Sequence, residues 1–94
     1  MKKAEMLNLK IGSKIQNKKG QWVINEISFE VFDKEVGKYM YGSNKCETYQ
    51  DANFKVDKSR TKVVRFYLHK IGTVETDTLV RESTIKDSYS VVEY

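Results

Sequence analysis

The stretch Gln21-Trp22-Val23-Ile24-Asn25-Glu26-Ile27-Ser28-Phe29-Glu30-Val31-Phe32 decides the fold. Ile27, Phe29 and Val31 alternate with Ser28, Glu30 and Phe32, the period of two that marks a strand with one face in a core. Trp22 and Ile24 are apolar on the opposite parity. One extra residue in a strand moves every later side chain to the other face, so the change of parity predicts a bulge or sharp bend near Asn25-Glu26. Long strands bent in this way turn the corners of small barrels.

Working outward, Asn17-Lys18-Lys19-Gly20 predicts a tight turn, with Gly20 free to adopt positive φ. Before it, Leu9, Ile11 and Ile15 start an alternating pattern that Gly12-Ser13 interrupts, and residues 1–7 form either a frayed arm or a short helical turn. After Phe32, residues 33–37 predict a turn and residues 38–42 a short strand around Tyr39, Met40 and Tyr41. Residues 43–52 have no clear period and suit a loop or a short helix, with a further strand expected over 53–56. The clearest strand is 61–71, where Val64, Phe66 and Leu68 alternate with Arg65, Tyr67 and His69. Gly72-Thr73 breaks the chain. A strand over 74–80, a turn near 83–88 and a last strand over 89–93 complete the pattern. A helix competes over 77–90, because Ile85, Tyr89 and Val92 recur at helical spacing with Thr76 or Asp77 as caps.

Five to seven short strands and few helical stretches predict an all-β fold with at most one short helix, most economically a small, strongly bent antiparallel β-barrel. Leu9-Lys10-Ile11-Gly12-Ser13-Lys14-Ile15, the turn, and Gly20-Gln21-Trp22-Val23-Ile24 resemble in pattern the first hairpin of SH3-like barrels, a likeness of fold that implies no function. The chain's 94 residues allow one domain. The expected division is an N-terminal arm over 1–8 and a single β-domain over 9–94.

Several classes are excluded. No uninterrupted apolar run exceeds three residues, as in Trp22-Val23-Ile24, so no membrane-spanning helix is expected. A basic start with no apolar stretch behind it predicts no secretory leader, and one free thiol, Cys46, suits the cytoplasm. One cysteine and one histidine leave no disulfide framework and no multi-cysteine zinc site. The five glycines are too scattered for a phosphate-binding loop. Cys46 and His69 could pair as nucleophile and base only if the fold brought them together, and a lone cysteine is more often a packing residue. No enzyme activity, cofactor or metal is expected.

The net charge of +4 is unevenly spread. Residues 1–20 hold six lysines against one glutamate, and residues 55–70 hold six bases against one aspartate. The intervening and final segments are acidic. Lysine outnumbers arginine by 14 to 3, which suits a solvated surface better than geometric readout of phosphate.

The best candidate surface is the outward stripe Arg65, Tyr67 and His69, flanked by Lys62 and Lys70. A cation, a phenol and an imidazole on alternate positions suit a protein hot spot. The same set can stack bases and neutralise phosphate. The competing structural role pairs Arg65 with Glu75 or Asp77 across a hairpin. Lys18, Lys19 and Lys58 add basic character, and Tyr39 and Tyr41 form a second pair of contact anchors beside Tyr49. Trp22 is expected in the core.

Together these features lead to a non-enzymatic protein that docks on a protein partner, with an accessory or inhibitor of a nucleic-acid-processing machine, of the kind phages and mobile elements encode, as a special case. The alternative is direct nucleic-acid binding through the two lysine-rich segments and the Arg65/Tyr67/His69 face.

Overall fold

The computed structural model describes residues 1–33, 35, 37–40, 45–54 and 62–92. The chain forms a mostly β structure built on one long strand, β2 (Gly20–Asp33), which is paired along both edges. On one edge β5 (Lys62–Lys70) runs antiparallel to it from Trp22 to Val31. On the other edge, among the described residues, three strands follow one another: β1 (Lys14–Asn17) against Gly20–Val23, β4 (Lys45–Cys46) against Ile27 and Ser28, and β3 (Lys38–Met40) against Val31–Asp33. β6 (Thr78–Arg81) pairs β5, and the two-residue β7 (Ser90–Val91) pairs β1.

The expected bulge is present. The register of β2 against β5 shifts between Ile24 and Glu26, leaving Asn25 as the extra residue. Trp22 and Ile24 before it and Ile27 after it are therefore all buried, on one face. The tight turn also forms: Asn17 pairs with Gly20, the Asn17 Oδ1 accepts the Lys19 N–H at 2.8 Å, and Gly20 sits at φ 147°.

Among the described residues, three helices lie at the buried face. α1 (Lys3–Leu7) starts with the Lys2 N–H donating to Glu5 Oε1 at 3.0 Å and inserts Met6. α2 (Tyr49–Phe54) inserts Ala52, and α3 (Glu82–Ser88) inserts Ile85. These residues join Leu9, Ile15, Trp22, Ile24, Ile27, Cys46, Val64, Phe66 and Leu68 in one core. A sheet with one face covered by helices is a two-layer arrangement, and the opposite face of the sheet is the outer one.

Several expectations need correction. Asn53 and Phe54 end α2 and do not begin a strand; Lys55 and Val56 lie outside the described residues. Thr48 Oγ1 accepts the Asp51 N–H at 3.0 Å, a local cap that favours a helix here. The turn near 83–88 is α3, because Ile85 and Tyr89 one helical turn apart both reach the core. Its N-cap is Arg81, and neither Thr76 nor Asp77 serves. The strand over 74–80 is confined to Thr78–Arg81. Of the last strand expected over 89–93, Ser90–Val91 form β7 and Tyr89 and Val92 do not join it, while Glu93 lies outside the described residues. With α3 between β6 and β7, these two strands end the sheet at opposite sides, and among the described residues no ladder closes it.

Candidate interaction face

The alternation of β5 separates its two faces cleanly. Val64, Phe66 and Leu68 are fully buried, while Arg65, Tyr67 and His69 emerge together on the outer face, each partly exposed. Register then decides their neighbours. Glu26 lies opposite Tyr67 and Ser28 opposite Arg65 on the β2 side; Leu79 lies opposite Tyr67 and Arg81 opposite Arg65 on the β6 side.

Arg65, Lys45 and His69 on this central face each meet a carboxylate. Arg65 Nη1 lies 3.1 Å from Glu30 Oε1, with side chains 22% and 10% exposed. Glu30 is thus a nearly buried carboxylate, and its Oε2 has no hydrogen-bond partner among the described residues. Lys45 Nζ lies 2.9 Å from Glu26 Oε1. That hydrogen bond, reinforced by the charge of Glu26, pushes the Lys45 ammonium above its ordinary 10.5. His69 Nδ1 lies 3.2 Å from Asp77 Oδ1, and its Nε2 lies 3.1 Å from the Thr73 carbonyl. Asn25 Nδ2 donates to the other oxygen of Asp77 at 3.0 Å. The bulge residue and His69 therefore hold the 71–77 connection from two sides, and Val74 stands fully exposed on it.

Arg65 pairs with Glu30 of β2, not with Glu75 or Asp77, and Asp77 instead takes His69. Glu26, Glu30, Lys45, Leu79 and Arg81 complete the face although none stood out in the sequence. The polar parity of Glu26, Ser28 and Glu30 signals an outward stripe, but their partners depend on register.

The lysines are spread along the sheet. Lys18 and Lys19 are exposed at the β1–β2 hairpin tip, the end where Trp22 meets Lys70. Lys62 opens β5 opposite Val31, at the other end of the strand, about 25 Å away at the rise of an extended chain. Tyr39 lies on β3 opposite Phe32. Lys58 and Tyr41 fall outside the described residues.

Three other residues turn toward the core side. Cys46 is buried opposite Ile27, so it and His69 lie on opposite faces of the sheet and form no dyad. Trp22 is buried, with Tyr89 edge-on at 5.4 Å and Lys70 Nζ 5.7 Å from its ring. Tyr49 stacks on Phe66 at 5.8 Å and donates to Glu82 Oε2 at 2.6 Å. Burial first, then that hydrogen bond and the carboxylate charge, push the Tyr49 phenol well above its ordinary 10.0.

Among the described residues no three His, Cys, Asp or Glu side chains gather as a metal site, and no helix is long and apolar enough to cross a membrane. No protein-family model, no curated protein and no solved structure matches the chain.

Proposed function

We propose that this protein is a non-catalytic binding module that docks on a protein partner through the outer face of β2, β5 and β6. The observation that carries this reading is that carboxylates already occupy three basic side chains of that face: Glu30 on Arg65, Glu26 on Lys45, and Asp77 hydrogen-bonded to the His69 ring. A nucleic-acid backbone draws its affinity from cations that release counterions. Here a phosphate would have to displace a carboxylate at each of these three positions. Tyr67 and Leu79, side by side between the pairs, supply apolar contact area of the kind a protein hot spot uses. In this reading an accessory or inhibitor protein would touch the protein component of a nucleic-acid-processing assembly, and the bend at Asn25 belongs to a small fold of the SH3-like barrel kind.

Fluorescence anisotropy with labelled single- and double-stranded oligonucleotides, at low and at physiological salt, tests the assignment. Weak binding, indifferent to the replacement of Lys18 and Lys19 by Gln, is the expected result. Tight binding that collapses with salt and is lost with those lysines would overturn it and favour nucleic acid as the ligand.

A further inference from the structure

We propose that the open edge of β6 pairs with β6 of a second copy of this chain, joining two sheets across a two-fold axis at Leu79. β6 ends the strand order, with β5 on one side and no strand on the other among the described residues. Thr78, Leu79 and Arg81 are exposed, Leu79 by 42%, and the strand contains no proline. Such an edge offers unpaired N–H and C=O groups to another strand.

The register follows from backbone geometry. Alternate residues of a strand point their N–H and C=O to the same edge, so two identical antiparallel strands must pair residues of equal parity. A two-fold axis therefore passes through a residue opposite itself: Thr78, Leu79, Val80 or Arg81, and the last sets the two arginines against each other and Leu79 against Ser83. Centring on Val80 sets Leu79 against Arg81 and Thr78 against Glu82. Centring on Thr78 sets Leu79 against Asp77. Only the Leu79 register keeps Leu79 against Leu79 and sets Asp77 against the arginine at 81 in the other copy, twice by symmetry.

The charges of the single chain favour that register. Arg81 lies directly across from Arg65, a like-charge pairing that is unfavourable. Glu30 takes Arg65, and no salt bridge holds Arg81 among the described residues. Asp77, held by His69 and Asn25, retains acceptor capacity, because each carboxylate oxygen accepts more than one hydrogen bond. Pairing would also run the outer faces together, with Tyr67 and Leu79 of both copies in one continuous strip. The inference is independent of the partner proposed above, since it concerns the purified chain alone.

Sedimentation and light scattering across a concentration series from about 10 μM to about 1 mM, the range suited to a small interface, test it. The mass should rise from 11.0 kDa toward twice that value. Arg81→Glu, which sets acid against acid at both symmetric contacts, should raise the dissociation constant about tenfold. Adding Asp77→Lys should restore dimerisation, and Leu79→Lys should abolish it. Arg81→Glu replaces a like-charge pair with an opposite one inside the monomer, so loss of dimer there would not reflect unfolding. A mass of 11.0 kDa throughout, or a dimer indifferent to Arg81→Glu and Leu79→Lys, would overturn the proposal.

Discussion

Glu30 owes its tolerance of burial on the outer face to Arg65. The carboxylate is almost wholly withdrawn from water, one oxygen meets the guanidinium, and the other has no partner among the described residues. Removing the cation leaves a buried charge uncompensated, so Arg65→Ala should destabilise the protein by about 3 kcal/mol in urea titrations. Replacing both residues by Met should recover most of that loss. A double variant as unstable as Arg65→Ala would show that the damage lies in packing instead. At Tyr49 the hydroxyl bond to Glu82 contributes about 1 kcal/mol, which Tyr49→Phe should remove at neutral pH. The raised phenol adds a pH signature with a definite sign. Above pH 10.0 an unfolded tyrosine loses its proton while folded Tyr49 keeps its own, so stability is complete below that pH and falls as pH rises through the folded value. Stability measured across the alkaline range should decline less steeply in Tyr49→Phe. Part of the slope should remain, because burial also raises Tyr89.

Among the elements, β2 depends most on a single position. Asn25 allows Trp22 and Ile24 to face the same core as Ile27. Deleting it would restore plain alternation and turn Trp22 and Ile24 to the outer face, since a one-residue slip exchanges the faces. The deletion variant should lose its cooperative thermal transition, whereas Asn25→Ala, which keeps the residue count and loses only the bond to Asp77, should cost less than about 1 kcal/mol. Equal damage from both would place the importance in the side chain. This bulge was legible because two apolar parities met within one strand, and β5 was legible because its alternation is unbroken. α2 was less so: its signal is the cap formed by Thr48 and Asp51, three residues apart, within a stretch that lacks a clear hydrophobic period. α3 was visible as a spacing of Ile85 and Tyr89 that a strand-and-turn reading of the same residues could also accommodate.

At the scale of the molecule, pairing along both edges of β2 makes the β2–β5 ladder the part that opens last. Native-state hydrogen exchange should find the slowest amides at Ile24, Ile27, Phe66 and Leu68, with the two-residue β7 and the short α1 exchanging first. Uniform protection across β7 and β5 would mean that the sheet opens only as a whole. The sequence by itself determined the mainly β class, the strand cores of β2 and β5, the turn at Asn17–Gly20, the bulge at Asn25 and the burial of Trp22. All of these follow from side-chain periodicity and backbone freedom over a few neighbouring residues. Only the tertiary structure decided that Arg65 meets Glu30, that His69 meets Asp77, that residues 82–88 are helical and that no ladder closes the sheet among the described residues. Those outcomes depend on strand order, register and on which apolar surface a segment can cover, and they join residues far apart in the chain whose local patterns fit more than one partner.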